Sequence, residues 1–207
     1  MKHAFFKLSR QEQKQILDSA LQVFTDIPYE NASTNTIVKK ARISKGMLFY
    51  YFGNKKSLFD FLIDYTLDYV KEAYLNQLDF TERDFIKRYV RISEIKRTAY
   101  EQEPQIFAFM SYVYLHEQNR IPEDRLRMMQ EYMEHTTQSQ DKNIDTSLFR
   151  EDISPERIIE LITYSIEGYQ KKLIKKFHQL DIKKEPMDRH YLEFYDFLKD
   201  LRKIYYK

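Results

Sequence analysis

Apolar positions recur at intervals of three and four over most of this chain, the spacing that gives an α-helix one buried face. Ser9-Arg10-Gln11-Glu12 has the form of a capping box, in which hydroxyl and carboxylate each satisfy a free backbone N–H. Behind it Ile16, Leu17, Ala20, Leu21 and Phe24 form the first apolar face, which Asp26-Ile27-Pro28-Tyr29 interrupts. Ser33 or Thr34 then opens a short helix carrying Ile37, Val38 and Ala41. After a brief turn Ser44 opens another, from Lys45 to about Tyr51, with Gly53 as its C-cap. A long amphipathic helix follows from about Asn54 towards Tyr74, through Leu58, Phe61, Leu62, Tyr65 and Leu67. Five further helices are expected near Glu82–Glu101, Pro104–Glu117, Pro122–Gln138, Pro155–Gln179 and Pro186–Tyr206, proline marking several of the starts. The polar stretch Gln138–Ser147 reads as a mobile loop.

Composition sharpens the fold class. Three glycines and five prolines in 207 residues are too few for the turns of a sheet protein, so the expected fold is all-α, with about nine helices. Hydrophobic residues at 43% and charged residues at 32% describe a globular chain with a core to bury. Cysteine is absent, which excludes disulfides and thiolate chemistry. Met1–Leu8 has no apolar stretch of signal-peptide length, and no run approaches the ~18 apolar residues of a bilayer span. A cytoplasmic location without membrane partners is the expectation.

The net charge of +2 conceals an asymmetry. Residues 1–60 hold ten Lys/Arg against five Asp/Glu, and the remainder twenty-four against twenty-seven. A basic N-terminal quarter on a slightly acidic body fits a nucleic-acid module joined to something else. The expected organisation is a nucleic-acid-binding domain at 1–53 and a second, helical domain at 54–207, linked by a helix over 54–76; the later residues are read below as carrying ligand binding and dimerisation.

The two short helices, Ser33–Ala41 and Ser44–Tyr51, have helix-turn-helix dimensions. Leu48 and Phe52, four apart, can anchor the second inward, leaving Ser44, Lys45, Gly46, Met47, Phe49, Tyr50 and Tyr51 for other faces. Such a helix can enter the major groove with its N-terminus at the base edges. Without the flanking pattern, the lysines read better as a solvated face and the aromatics as packing.

That flanking pattern is present. The stretch Ala41-Arg42-Ile43-Ser44-Lys45-Gly46-Met47-Leu48-Phe49-Tyr50-Tyr51-Phe52, followed by Asn54-Lys55-Lys56-Ser57-Leu58-Phe59, resembles the TetR/AcrR signature. Ile16, Leu17, Ala20, Phe24, Tyr29, Ser33 and Ile37 match upstream at the family's spacing, so the resemblance covers about residues 9–65. It implies a dimeric regulator, most simply a repressor, that binds double-stranded DNA. Ser33 and Thr34 would meet a phosphate at a helix N-terminus, where free N–H groups and the helix dipole favour an anion. Ser44 would cap the recognition helix and touch the DNA backbone. Lys45 and Gly46 would face the bases, and Tyr50, Tyr51 and Lys55 would hold phosphates. Two positions depart from the family. Arg42 stands where the turn glycine is usual and brings a charge beside the DNA, and Phe49 replaces the usual tyrosine.

Further along, Met187, Tyr191, Phe194, Leu198, Leu201 and Tyr205 repeat at alternating intervals of four and three, a helix-packing seam expected to join two copies. On the preceding helix Leu161, Tyr164, Ser165 and Gly168 form a strip beside the Ile159, Ile162, Ile166, Tyr169 and Leu173 face. A mid-helix glycine costs about 0.5–1 kcal/mol against alanine, which close approach of another helix would offset. TetR-like proteins commonly carry a glycine here, in a four-helix bundle made by two subunits. Packing of Gly168 within its own domain is the alternative.

The chain has 17 Tyr and 15 Phe but no Trp. Tyr89, Phe107, Met110, Tyr114, Met129, Tyr132, Met133 and Ile166 are the candidates for an adaptable, largely apolar pocket holding a small-molecule effector, each with plain core packing as its alternative. The rival to an effector is control by protein partners. An enzyme is disfavoured, since there is no Gly-rich phosphate loop and no nucleophilic cysteine. His116, His135, His178 and His190 lie far apart with no metal-ligand spacing, and read as isolated surface residues. No cofactor and no metal are expected.

Overall fold

The computed structural model describes residues 2–138, 142–177 and 187–207, with the side chains of 2–3, 133–138, 177 and 187 excepted. The described residues are predominantly helical, with short 3-10 turns, irregular connections such as residues 78–84, and one isolated β-bridge. They form two compact units, Met1–Ala73 with Tyr100–Tyr132, and Tyr74–Ala99 with Met133–Lys207.

The first unit opens with α1 (Lys2–Phe5), a single turn too short for periodicity to reveal. α2 (Arg10–Asp26) starts at the capping box read from sequence. The Ser9 N–H donates to the Glu12 carboxylate at 2.9 Å, and the Glu12 N–H donates to Ser9 Oγ at 3.3 Å. α3 (Thr34–Ala41), α4 (Lys45–Phe52) and α5 (Lys55–Ala73) follow. The core between them is built from Ile16, Leu17, Ala20, Phe24, Ile37, Leu48, Phe52, Leu58, Phe59 and Leu62, all buried. Phe5 of α1 closes one side of this core, its ring lying 5.1 Å from Phe52 and 5.6 Å from Phe61.

α7 (Pro104–His116) returns to the same unit and packs on α2 and α5. Its buried face is Ile106, Phe109 and Val113, spaced at three and four. A 3-10 turn at Gln118–Arg120 and α8 (Glu123–Gln138) follow. Residues 139–141 of the stretch expected to be a mobile loop lie outside the described residues, and Thr146–Leu148 forms a 3-10 turn capped by Asp145.

The second unit contains most of α6 (Phe85–Gln102), with α9 (Pro155–Phe177) and α10 (Met187–Tyr205). Phe85, Ile86, Tyr89, Phe149, Ile158, Ile162, Ile166, Leu198 and Leu201 make its core. A buried polar network joins the start of α6 to the C-terminus. Asp84 accepts from Arg202 at 2.7 Å and from the Tyr206 hydroxyl at 2.9 Å, and that hydroxyl accepts the Ile86 N–H at 3.0 Å. Arg88 is fully buried and donates to the carbonyls of Glu82 and Lys142, as a guanidinium removed from water requires. His190 is buried too, which corrects its reading as a surface histidine; α10 carries it on the side turned from water. No described helix is long and apolar enough to cross a membrane.

Candidate nucleic-acid interface

α3 and α4 are joined by a turn of three residues, Arg42, Ile43 and Ser44. The chain reverses at Arg42, whose φ of 54° and ψ of 38° lie in the left-handed region. The Arg42 and Ile43 N–H groups both donate to the Val38 carbonyl, closing the end of α3. Ser44 then caps α4 by accepting the Met47 N–H at 3.1 Å, and Ser33 caps α3 by accepting the Asn35 N–H at 3.2 Å. Gly53, at φ 80°, ends α4.

α4 has two sides. Leu48, Tyr51 and Phe52 are buried, while Ser44, Lys45, Gly46, Met47 and Tyr50 are exposed. Tyr50 is 65% exposed and Met47 40%, high values for large apolar side chains on a helix of eight residues. Phe49 is half-buried with the Lys45 ammonium 5.8 Å from its ring. A Cβ built on Gly46 would meet only Ser44 Oγ, at 3.8 Å, so packing within the chain does not require glycine there. Arg42 is exposed beside this face, and Lys55, half-buried at the start of α5, lies 4.4 Å from the Tyr29 ring and donates to the Glu30 carbonyl at 3.2 Å. Lys56 is paired with Asp60 at 2.6 Å, which raises its pKa.

Ser33 and Thr34 are half-buried at the start of α3. Tyr51 departs from expectation. The resemblance implies a phosphate contact for it, but only 6% of it is exposed, and its ring packs edge-on against Phe5 at 6.1 Å. The cause is α1, which covers the back of α4 and gives the second of two adjacent tyrosines an apolar seat.

The other expected sites separate. Among the effector candidates, Phe107, Met110, Tyr114, Met129 and Tyr132 belong to the first unit, Met129 buried and the rest half-buried. Tyr89 and Ile166 are buried in the core of the second unit, and the Met133 side chain lies outside the described residues. A cleft of about 590 Å³ in the second unit is lined instead by Phe80, Thr81, Arg83, Asn143 and Ile144.

On α10 the expected intersubunit seam is largely occupied inside the chain. Leu198 and Leu201 are buried in the second core, and Phe194 and Tyr205 pack against it. Tyr191 is half-buried, with the Arg97 guanidinium 5.9 Å from its ring; the Met187 side chain lies outside the described residues. A four-three repeat marks a buried face without saying what buries it. The strip on α9 is different, since Tyr164 is 58% exposed, Leu161 and Ser165 are half-buried, and a Cβ on Gly168 would meet nothing within 4 Å.

Sequence reasoning missed a cluster behind the interface. Glu117, at the end of α7, is buried and accepts the Tyr29 N–H at 2.9 Å and Arg120 Nε at 2.9 Å. Arg120 also pairs with Glu30, and its guanidinium lies 4.8 Å from the Tyr29 ring. These partners are about ninety residues apart in sequence, so no local pattern announces them.

Residues 16–61 match the family model described as bacterial regulatory proteins, tetR family. The A-factor receptor protein of Streptomyces griseus is 33% identical over 51 residues, a match that takes in 25% of this chain and 18% of that protein's length. Among solved structures, a TetR family transcriptional regulator from Chloroflexus aurantiacus J-10-FL superposes with a TM-score of 0.63 at 17% identity, covering 99% of this chain and 98% of that one. AibR, in complex with isovaleryl coenzyme A and operator DNA, superposes with a TM-score of 0.50 at 17% identity, over 76% of this chain and 83% of its own. Residues 16–61 thus resemble the segment that this family's model describes, and the chain shares the fold of these solved regulators over nearly its whole length.

Proposed function

We propose that this chain is a transcriptional regulator of the TetR type and acts as a homodimeric repressor, binding a pseudo-palindromic operator through α4 and leaving it when a small, largely apolar effector occupies the helical body. One observation carries the reading. α4 is held by Leu48, Tyr51 and Phe52 while it presents Lys45, Gly46, Met47 and Tyr50 to solvent, the arrangement by which a short helix reaches base edges. Lys45 is the candidate donor to guanine, and Gly46, which the chain's own packing leaves open, permits close approach to a duplex. Arg42, Ser44, Tyr50 and Lys55, with Ser33 and Thr34 at the start of α3, are the candidate phosphate contacts that fix register.

A second copy would set two such helices roughly 34–36 Å apart, one turn of the duplex. The strip Leu161, Tyr164, Ser165 and Gly168 on α9, of which Tyr164 and Gly168 are exposed, is the candidate face for it. AibR, of like fold, was solved with both isovaleryl coenzyme A and operator DNA, and this supports a small-molecule effector. A coupling of about 1–3 kcal/mol between effector and DNA would suffice for release.

The test is selection of bound fragments from random DNA by the purified chain. Half-sites about 10 base pairs apart, centre to centre, are expected; a chain that retains no DNA even in dilute salt refutes the reading. A thermal-shift screen of lipophilic compounds and, separately, of acyl coenzyme A thioesters tests the effector, because a ligand at 100 times its Kd stabilises by ~2.7 kcal/mol.

A further inference from the structure

The Glu117–Arg120 cluster connects parts of the first unit that the proposed function treats separately. Tyr29 and Glu30 lie in the connection between α2 and α3, a few residues before Ser33. Three links tie them to the end of α7 and the turn after it: the Tyr29 N–H to Glu117, the Glu30 carboxylate to Arg120, and the Arg120 guanidinium over the Tyr29 ring. Glu117 also accepts from Arg120, so the carboxylate and guanidinium brace each other. Two further links tie the same pair of residues to Lys55: its ammonium lies 4.4 Å from the Tyr29 ring and donates to the Glu30 carbonyl at 3.2 Å. The Tyr29 ring is itself seated between elements, stacked on Phe24 at 5.8 Å and edge-on to Phe59 at 4.8 Å. Lys55 thus has its ammonium placed by a loop whose own position is set from α7.

We propose that Glu117 and Arg120 are positioning residues for DNA binding, acting through Tyr29 and Glu30 to fix the Lys55 ammonium and the loop that delivers Ser33 to the α3 N-terminus. The proposal rests on the reading of Lys55 as a phosphate contact. Its physical basis is entropic and electrostatic. A lysine side chain left to itself samples many rotamers, and one already held near its phosphate loses less freedom on binding. Glu117 is the member best suited to transmit position, because a buried carboxylate that loses its partners is costly and so keeps both donors close. Movement of the end of α7 would therefore move Tyr29, Glu30 and the cation they hold, with no direct contact between α7 and DNA required.

The experiment uses the full-length chain and an operator fragment obtained by selection. Arg120→Gln, Lys55→Ala and the double variant are compared by fluorescence anisotropy across a salt series, with far-ultraviolet circular dichroism and melting curves to confirm folding. Lys55→Ala should lower affinity several-fold and reduce the salt slope of the binding constant by about 1. Arg120→Gln should produce part of the same loss, and the double variant should be little weaker than Lys55→Ala alone, since both act through one contact. In the two-dimensional carbon–proton spectrum of free protein, the Lys55 methylene signals should lose their ring-current shift in Arg120→Gln. Full additivity of the two losses, an unchanged affinity in Arg120→Gln, or Lys55 signals unmoved by it would each overturn the proposal. A wild-type chain that selects no DNA refutes the function itself. One that selects DNA, but whose Lys55→Ala variant binds as well as wild type, removes Lys55 from the interface and overturns the positioning role alone.

Discussion

Arg42 offers a test in which stability and affinity should move in opposite directions. Its φ of 54° lies where an L-residue brings Cβ close to the following carbonyl oxygen, at a cost of roughly 1–2 kcal/mol that glycine avoids. Against this, glycine adds freedom to the unfolded chain worth about 0.4–1 kcal/mol. Arg42→Gly should therefore leave the fold as stable as before or stabilise it by up to about 1.5 kcal/mol, a melting temperature rise of at most a few degrees for a chain of this size. The same exchange removes an exposed cation beside α4. If that cation meets a phosphate, affinity should fall across all DNA sequences alike, and the salt slope of log K should drop by about 0.9. Differential scanning calorimetry and anisotropy titration over a range of salt concentrations read the two effects. A variant that melts clearly below wild type would show that the side chain makes stabilising contacts that outweigh the strain. An unchanged slope and affinity would place Arg42 away from the duplex.

Other outcomes follow from the same geometry. Lys45→Ala should weaken specific binding by roughly 1–3 kcal/mol and relax the preference at one base position, as read by repeating the selection with the variant; an identical preferred sequence would exclude it from base contact. Phe5→Ala removes the buried ring behind Tyr51 and Phe52 and should cost about 3–5 kcal/mol in chemical denaturation, and a cost below 1 kcal/mol would show α1 to be dispensable. For Asp84, burial alone would raise the pKa, but Arg202, the Lys87 N–H and the Tyr206 hydroxyl outweigh it and hold the carboxyl below its ordinary value. Its contribution to stability is then present above the unfolded pKa, near 3.9, and fades as pH falls through the lower folded value. Asp84→Asn should be less stable at neutral pH and show a smaller loss on acidification, so parallel stability–pH curves would contradict the network's role. Tyr164→Glu on the α9 strip should shift the chain towards monomer in sedimentation velocity. Dimers of undiminished strength would put the interface elsewhere.

Much of the fold could be read along the chain because its determinants are local. Helix periodicity, the Ser9–Glu12 box, Ser33 and Ser44 as caps, and Gly53 as a stop all act within a few residues, so their spacing is already the structural information. The exposed face of α4 was legible for the same reason, apart from Tyr51. That residue was lost to a single-turn helix whose only signature is an apolar residue far away in sequence, Phe5. The α10 repeat shows the complementary limit. Periodicity states that Leu198 and Leu201 face away from water, but whether a second copy or the chain's own core receives them depends on where α6 and α9 lie. Likewise Tyr89 and Phe107 resemble each other as pocket candidates in the sequence, yet they belong to different compact units. The buried Arg88, the Asp84–Arg202–Tyr206 network and the Glu117–Arg120–Tyr29 cluster were invisible beforehand, because each joins groups from 54 to 122 residues apart. Local sequence dictates which face of each helix is apolar. Only tertiary packing decides what meets that face and which charges are drawn together as it closes, since those choices depend on contacts that no short window of residues contains.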